Sequence, residues 1–314
     1  MVCKETETMV DHPDRLIHAD HLCLSAGDSG VRVERLNMDV QRGAFYVILG
    51  EKGSGKRTLL RGLAGDLVPL SGKLEWFGSI NIHSDYVWKN RIGVMCEPLS
   101  FVPNLTVYEH LELHRRMMGV PDKQASHTML ELLSLEKYAH QRAGRIPAEA
   151  ARGCAIARAL LHRPELLLLD EPLSGLAPEV RARTIHILRE WCEIYHMTVI
   201  MTASQLQDVP ACVTTVGLME KGRLTEELPG TVYHSKIKDH LILRVSDDQR
   251  ASLLLEQRMG IYHYRVTEPS VILVYEQLDQ AGAINRMLIT EQIEVYELSY
   301  GSGKGGLISH AGGN

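Results

Sequence analysis

The chain of 314 residues has no apolar stretch of about 18 residues, the length that a membrane-spanning helix needs. Its first residues, Met-Val-Cys-Lys-Glu-Thr-Glu, are polar and acidic, so we expect no secretory signal peptide. The formal net charge is only −5, which offers no general attraction to nucleic acid or to an acidic membrane surface. If the protein works at a membrane, a partner must hold it there.

Cysteines are few, and none of them forms a sequence motif. The six residues are scattered without a C-x-x-C pair, which is typical of reduced, cytosolic thiols rather than of a disulfide scaffold or a structural zinc site. The hydrophobic fraction, 45%, and the charged fraction, 23%, are those of an ordinary globular protein. The length is sufficient for one large domain and a smaller one.

A glycine-rich segment at positions 50–58 stands between an apolar run, Phe45–Leu49, and a helix-like segment at 59–64. It follows the pattern G-x-x-x-x-G-K-[ST] except at its last position. A strand, a glycine turn and a helix start form a cradle whose backbone N–H groups and helix dipole bind phosphate. The pattern ends on Arg57, where a hydroxyl would normally hold Mg²⁺. The predicted nucleotide contacts are Gly50, Gly53, Ser54, Gly55, Lys56, Arg57 and Thr58.

A run of four leucines at 166–169 leads directly into Asp170 and Glu171. This pattern is typical of a buried parallel strand with acidic side chains at its carboxyl end, the edge of an α/β sheet at which ligands bind. Strands and helices alternate from residue 45 to residue 224. We therefore predict a mostly parallel sheet with helices packed on its faces.

Between residues 107 and 160 the pattern is helical, and its leucines and methionines indicate core packing. His110 and His114 are spaced i, i+4 on one helix face. Such a pair could bind a metal, but the sequence offers no third ligand, and a solvated face is the expectation.

The segment from residue 236 changes in character. Its predicted elements run β-α-β-β-α-β, the order of a ferredoxin-like α+β unit. The predicted organisation is therefore a flexible leader (1–15), a nucleotide-binding domain (16–235, with a helical subdomain at about 107–160), an accessory domain (236–299) and a flexible glycine-rich tail (300–314).

The spacing of these motifs over residues 16–230 resembles the nucleotide-binding domain of ABC transporters. Positions 50–58 match the Walker A motif of that family, and 166–170 match Walker B, with Glu171 at the position of the catalytic base. Segments 103–109 and 155–160 resemble those that follow its glutamine loop and its signature motif. The resemblance implies a P-loop NTPase core of the ABC type, ATP as the cofactor, and ATP hydrolysis by two domains arranged head to tail.

Most of the family's catalytic residues are replaced here, although Lys56, Asp170 and Glu171 are retained. The adenine-stacking aromatic residue is absent near Ser25. Arg57 stands where the family has the Mg²⁺-binding hydroxyl, with Thr58 directly after it, and Glu97 stands where it has the glutamine. The signature motif is replaced by Ile-Pro-Ala-Glu-Ala (146–150). Ala177 replaces the D-loop aspartate, and Ser204 replaces the switch histidine.

Two of these replacements are of opposite charge and fall where the family binds Mg²⁺. We hypothesise that the guanidinium of Arg57 takes the metal site and pairs with Glu97, Asp170 or both. The alternative is independent drift of an unused site. Asp170 and Glu97 are the candidate metal ligands if Mg²⁺ binds at all.

The resemblance implies the ATP-binding subunit of a transporter, with slow or no ATP hydrolysis. Its implied partners are a separate membrane permease and a second nucleotide-binding domain, in a homo- or heterodimer at the inner face of the cell membrane, and no nucleic acid. The accessory unit resembles that of bacterial drug and antimicrobial-peptide exporters. Tyr108, Leu111 and Met117 are predicted either to dock the permease or to pack internally. Two other functions stay open: a nucleotide sensor or regulatory subunit outside transport, and a working ATPase with unusual metal ligands.

Overall fold

The computed structural model describes residues 14–27, 32–79, 86–99, 101–237, 240–268 and 270–301. The chain divides into two compact units, with the boundary between Gly230 and Thr231. Apart from residues 14–15 and 300–301, the predicted leader and tail lie outside the described residues. Within the described ranges, no helix has the length and apolar character needed to cross a membrane.

The N-terminal unit contains two sheets. In the described residues its strands are β1 (Arg15–Ser25), β2 (Arg32–Gln41), β3 (Phe45–Leu49), β4 (Ser71–Trp76), β5 (Ile92–Met95), β6 (Leu166–Leu169), β7 (Thr198–Ala203), β8 (Thr215–Glu220) and β9 (Arg223–Pro229). The smaller sheet is antiparallel, in the order β2-β1-β4. The larger sheet, β5-β6-β7-β3-β8-β9, is parallel except for β9 at its edge.

Helices connect these strands, and the predicted helical region at 107–160 contains three of them. Their bounds are α1 (Lys56–Leu63), α2 (Val107–Met117), α3 (Ala125–Leu132), α4 (Ala148–Leu160) and α5 (Pro178–Tyr195). Helix α6 (Gly230–Ile237) begins at the last residue of this unit, and the rest of it belongs to the C-terminal unit. Helix α2 begins at a capping box, in which Thr106 and Glu109 each bond the other's backbone N–H. Crossover helices of this kind allow neighbouring strands to run parallel.

The central strands are buried on both faces, as their continuous apolar sequences predict. All residues of β3, β6 and β7 are buried. The antiparallel sheet packs its inner face on α1, and the Trp76 indole N–H donates a 2.7 Å hydrogen bond to the Leu63 carbonyl. This core places the carboxyl ends of β3, β6 and β7 side by side at one edge, where the predicted site residues begin.

The C-terminal unit has its own sheet and core. Its elements are β10 (His240–Val245), α7 (Asp248–Met259), β11 (Tyr264–Glu268), β12 (Val271–Val274), α8 (Ala281–Thr290) and β13 (Val295–Gly301). The sheet is antiparallel, in the order β11-β12-β10-β13, and the chain order β-α-β-β-α-β is that of a split β-α-β unit. Leu241, Leu243, Leu255 and Ile284 are fully buried in this core.

The predicted solvent exposure of the histidine pair on α2 is wrong. His110 is buried, with Nε2 3.0 Å from the Val102 carbonyl oxygen. His114 is half-buried, and burial, more than the neighbouring His162, lowers its pKa to about 4. Helix α2 contacts both α3 and α4, so it presents less of its surface to water than a helix with one packed face.

The three residues proposed to dock a permease occupy different environments. Leu111 is completely buried, so its docking interpretation is wrong and it belongs to the core. Tyr108 is half-buried against the His127 ring, with ring centroids 4.8 Å apart. Met117 is 73% exposed and is available to a partner.

Candidate functional site

The glycine-rich loop at 50–55 connects β3 to the first turn of α1. Gly53 and Gly55 have φ angles of 88° and 105°, in the left-handed region that glycine adopts without strain. Gly50 has no room for a side chain, because a Cβ atom there would lie 2.2 Å from the Met219 carbonyl oxygen. The loop therefore curls closely around the start of α1, whose N-terminal N–H groups are available to an anion.

The loop fits a phosphate group. Ser54 is buried, and its hydroxyl has no hydrogen-bond partner in the described part of the chain. A Cβ atom built on Gly53 would meet nothing within 4 Å, so the loop is open at that point. An unpaired buried hydroxyl beside an open glycine is the arrangement expected where a ligand supplies the missing acceptor.

Lys56 is buried, and three oxygen atoms surround its ammonium group. Nζ donates to the carbonyl oxygens of Gly50 at 2.6 Å and Glu51 at 2.9 Å, and to the Ser204 hydroxyl at 3.1 Å. Burial lowers the pKa of Lys56 from its ordinary value, and the nearby Glu171 and Asp170 carboxylates oppose that change. A bound phosphate would replace one of these oxygens as the partner of the ammonium group.

Ser204 connects Lys56 to the predicted catalytic base. Its hydroxyl accepts the hydrogen bond from Lys56 and donates one to the Glu171 carboxylate. The Glu171 backbone N–H donates to Thr202 Oγ1 at 2.9 Å, and Glu171 Oε1 lies 3.8 Å from Lys56 Nζ. The carboxylate of Glu171 is thus held by groups of the protein itself.

Arg57 contacts both carboxylates that the sequence hypothesis paired with it. Its Nε atom donates to Asp170 Oδ2 at 2.6 Å, and its Nη2 atom donates to Glu97 Oε2 at 3.3 Å. The hydrogen bond to Asp170 is the main cause of a raised pKa for Arg57. The other oxygen of Asp170 accepts a 2.9 Å hydrogen bond from the Thr202 hydroxyl.

This arrangement does not fit Mg²⁺. The ion needs several oxygen ligands in near-octahedral geometry, but a guanidinium group lies against the two candidate carboxylates, Asp170 and Glu97. In the described ranges, no group of three or more histidine, cysteine, aspartate or glutamate side chains could hold a metal ion. A metal at this site would require Arg57 to move away.

Sequence reasoning missed Arg152, in helix α4. Its Nη2 atom donates to Glu97 Oε1 at 3.0 Å, and its Nη1 atom donates to the Ser174 carbonyl oxygen. An arginine in an alanine-rich helix gives no local sign of such a partner, because its two contacts lie 55 and 22 residues away. Only the fold brings the three elements together.

Two of the replaced positions contact each other. The Glu149 carboxylate, in the first turn of α4, accepts a 2.9 Å hydrogen bond from the Ala177 backbone N–H. Ala177 is the N-cap residue of α5 and has no side-chain oxygen to cap that helix. Glu149 therefore supplies the negative charge that stabilises the start of α5.

A groove of about 570 Å³ lies in the N-terminal unit, and several segments of that unit line it. They include Val94 of β5, His114 of α2 and Ala159 of α4. Val102, Leu113 and Met117 are large apolar lining residues that are 51%, 44% and 73% exposed. An exposed apolar group of this kind is typical of a surface that another protein covers.

Comparison with known sequences places residues 33–174 in a family described as ABC transporter. The bacitracin transport ATP-binding protein BcrA of Bacillus licheniformis is 34% identical over 271 residues, which cover 85% of this chain and 87% of that protein. The uncharacterized ABC transporter ATP-binding protein YcbN of Bacillus subtilis (strain 168) is 28% identical over 267 residues, with the same coverage, 85% and 87%.

Solved structures share the fold. The dimeric ATP-binding cassette MJ0796, in a post-hydrolysis state bound to ADP and phosphate, has a TM-score of 0.63 and 19% identity, covering 68% of this chain and 98% of that one. CbiO1 of Clostridium perfringens, part of a transporter complex, has a TM-score of 0.62 and 21% identity, covering 79% and 96%. These matches confirm the predicted α/β fold with a P-loop.

Proposed function

The chain belongs to the ATP-binding proteins of the ABC transporters, and from this membership we propose that it binds ATP without Mg²⁺ and hydrolyses it slowly or not at all. The proposal rests on one observation, the 2.6 Å distance between Arg57 Nε and the Asp170 carboxylate. The candidate metal ligand is therefore already paired with a positively charged side chain of the protein. The proposed location is the inner face of the cell membrane, on a separate permease and beside a second nucleotide-binding domain.

Nucleotide binding is assigned to the loop and the start of α1. ATP would bring a chain of phosphates, and the Ser54 hydroxyl, the Lys56 ammonium and the loop N–H groups would bind their oxygen atoms. Arg57 adds a positive charge at the same helix N-terminus, and its side chain is 53% exposed. These groups neutralise part of the phosphate charge without a metal ion.

Hydrolysis needs a carboxylate that can orient or deprotonate a water molecule. The Oε1 atom of Glu171 instead accepts a hydrogen bond from Ser204 and lies near the Lys56 ammonium, so this oxygen is already engaged by groups of the protein. Removing one catalytic hydrogen-bond donor typically slows an enzyme by about 10²–10³. The glutamine, histidine and signature serine are all replaced, and their effects are not additive because they act on one transition state.

The permease is assigned to this groove of the N-terminal unit. Its exposed Leu113 and Met117 offer apolar surface to an amphipathic helix. A relative that is 34% identical carries bacitracin transport in its name, so a peptide antibiotic is the substrate class to test. If a neighbouring reading frame encodes a permease, co-expression with it should raise the bacitracin concentration that cells tolerate, and Met117→Asp should remove that gain.

The catalytic part of the proposal is tested on the purified full-length protein. ATP is titrated in Mg²⁺ and in EDTA, and phosphate release is followed beside Glu171→Gln as the matched control. We expect similar ATP affinity in both buffers and phosphate release no faster than in the variant. Fast Mg²⁺-dependent release that Glu171→Gln abolishes would contradict slow catalysis and favour an ATPase with unusual metal ligands.

The second candidate function is a nucleotide sensor or regulatory subunit outside transport. The carboxylate of Glu149, bound to Ala177, favours it, because this segment does not offer the serine hydroxyl that a family partner's nucleotide would meet. Co-purification decides between the two functions. A membrane protein of several helices recovered in stoichiometric amount supports the transporter subunit, and nucleotide binding without such a partner supports the sensor.

A further inference from the structure

The carboxyl end of β7 carries two hydroxyl groups, and each of them donates to a carboxylate. The Thr202 hydroxyl donates to Asp170 at 2.9 Å, and the Ser204 hydroxyl donates to Glu171 Oε1. Both carboxylates come directly after β6, the strand that pairs with β7. Because a carboxylate within hydrogen-bond reach of a hydroxyl can remove its proton, each pair is a candidate nucleophile with its base.

The two pairs differ in their access to a ligand. Thr202 and Asp170 are both buried, and the second oxygen of Asp170 pairs with Arg57 at 2.6 Å. Ser204 and Glu171 are only half-buried. The Ser204 hydroxyl is therefore the one of the two that a bound phosphate group can reach.

The Lys56 ammonium binds the same serine hydroxyl. Its Nζ atom donates to Ser204 Oγ at 3.1 Å, while the proton of Ser204 points to Glu171. Lys56 is also one of the groups to which the nucleotide phosphates were assigned above. A hydroxyl with a base on its proton and a phosphate-binding cation on its oxygen has the arrangement of a phosphoryl acceptor.

The backbone fixes Glu171 in this position. Its φ angle is 46°, in the left-handed region that residues other than glycine seldom adopt. Its N–H donates to Thr202 Oγ1 at 2.9 Å, which stabilises the turn after β6. Strained backbone of this kind is concentrated at functional sites. Here it accompanies the carboxylate that binds the Ser204 hydroxyl.

We propose that the Ser204 hydroxyl accepts the γ-phosphoryl group of bound ATP, so that the protein phosphorylates itself. The bond between Ser204 Oγ and the γ-phosphorus forms as the bond from that phosphorus to the β,γ-bridging oxygen breaks. The Ser204 proton goes to Glu171, and the electron pair of the broken bond leaves with ADP. Lys56 and Arg57 stabilise the charge on the phosphoryl oxygens. The inference rests on the proposed nucleotide binding and adds a covalent product to it.

The product limits the reaction to one turnover. A phosphoserine carries a charge of about −2 at neutral pH, and at position 204 it lies against the Lys56 ammonium. That ammonium group is then paired within the protein and is no longer available to the phosphates of a second nucleotide. The phosphorylated protein therefore binds ADP more weakly than the unmodified protein.

Mass spectrometry of the full-length protein, incubated with ATP in EDTA, tests the transfer. We expect uptake of one phosphoryl group, a gain of about 80 Da, on Ser204. EDTA keeps a co-purified protein kinase inactive, because kinases need Mg²⁺. After the nucleotide is removed, titration should show that the phosphorylated protein binds ADP at least about tenfold more weakly than protein that was never exposed to ATP.

Three variants identify the nucleophile and its base. Ser204→Ala should take up no phosphate. Glu171→Gln should slow the uptake by about 100-fold or more, because an amide cannot accept the serine proton. Ser126→Ala is the matched control, since the Ser126 hydroxyl also donates to a glutamate, Glu112, at 3.4 Å, but lies in α3. The control should take up phosphate as fast as the parent protein.

The outcomes separate this inference from the proposed function. If neither ATP nor ADP binds, the proposed function fails and the transfer fails with it. If ATP binds and Ser204 stays unmodified, the transfer alone is overturned. It is also overturned if the phosphate is found on another residue, if Glu171→Gln is modified as fast as the parent, or if phosphorylation leaves the ADP affinity unchanged.

Discussion

Arg57 places a positive charge of the protein at the candidate metal site. Its guanidinium donates to Asp170 at 2.6 Å and to Glu97 at 3.3 Å, so a single positive charge of the protein lies against the two candidate metal ligands. A guanidinium group cannot coordinate phosphate and carboxylate oxygens in an octahedron as Mg²⁺ does. The contacts of Arg57 with Asp170 and Glu97 are those that the hypothesis of a coupled change requires, and the coupled change itself stays a prediction.

The double variant Arg57→Ser, Glu97→Gln tests this explanation. It removes the internal cation, restores a hydroxyl at the start of α1 and leaves Asp170 free to bind a metal. We expect ADP affinity to become Mg²⁺-dependent, by about tenfold, because a metal ion can then bridge the phosphates and Asp170. Isothermal titration in Mg²⁺ and in EDTA measures it. Arg61→Ser, one turn further along α1, is the matched control, and an unchanged Mg²⁺ response in the double variant would refute the explanation.

His114 makes the stability of the protein depend on pH. Its pKa is lowered to about 4 in the folded protein, chiefly by burial, while an unfolded chain takes up the proton near 6.5. The folded state therefore loses stability as the pH falls from about 6.5 to about 4, and this loss is absent above pH 6.5. Between pH 7.5 and pH 5, we expect the free energy of unfolding to fall by on the order of 2 kcal/mol less in His114→Leu than in the parent protein. Urea unfolding at pH 7.5 and pH 5 measures it.

The exposed His140 provides the control for that measurement. His140→Leu should leave the difference in unfolding free energy between the two pH values unchanged. Equal pH dependence in His114→Leu and in the parent protein would show that the His114 imidazole takes up its proton in the folded protein as readily as in the unfolded chain.

Some residue contacts are predictable from the sequence and others are not. The pairing of Arg57 with Glu97 and Asp170 follows from a change of charge at two motif positions that share one ligand. The bridge from Ser204 to Lys56 and Glu171 does not, because a serine in place of a histidine gives no sign that its hydroxyl will find both groups.

At the scale of elements, helix α2 shows which features a local sequence pattern predicts and which it does not. Its start is visible in the sequence, since Thr106 is followed three residues later by Glu109, and the structure has both hydrogen bonds of a capping box. The burial of its side chains is not visible in its own sequence, because it depends on contacts with α3 and α4. The exposure assigned to His110 and His114 therefore failed while the helix itself was predictable.

The capping box should make a measurable contribution to stability. The Thr106 hydroxyl accepts a 3.2 Å hydrogen bond from the Glu109 N–H, and the Thr106 N–H donates at 2.7 Å to the Glu109 carboxylate. Thr106→Ala removes the first bond and should lower the free energy of unfolding by about 1 kcal/mol. Thr128→Ala is the control, because the Thr128 hydroxyl donates to the carbonyl oxygen of Gln124, the N-cap residue of its own helix, and caps no N–H group. Equal losses in the two variants would show that the cap adds nothing.

On the scale of the whole molecule, each of the two units has a hydrophobic core of its own within the described residues. Leu168 and Ile200 are buried in the core of the N-terminal unit, and Leu243 and Ile284 in that of the C-terminal unit. The change of element order near residue 236 predicts a boundary there, and the division by contacts falls at Gly230–Thr231. The predicted boundary lies a few residues later because it was placed at the change of strand pattern. Helix α6, which begins at Gly230, has no such pattern to mark its start.

Separate cores predict separate unfolding. We expect scanning calorimetry of the full-length protein to show two transitions, because each unit buries its own apolar side chains and small domains unfold cooperatively. Leu243→Ala should destabilise only one of them, by about 2–5 kcal/mol, and Leu168→Ala the other, since each substitution leaves a cavity in one core. ADP should raise only the transition that Leu168→Ala lowers, because the phosphate loop belongs to that unit. A single transition that both substitutions shift equally would mean that the two units unfold as one, and the accessory unit would then be part of the nucleotide-binding domain rather than a domain of its own.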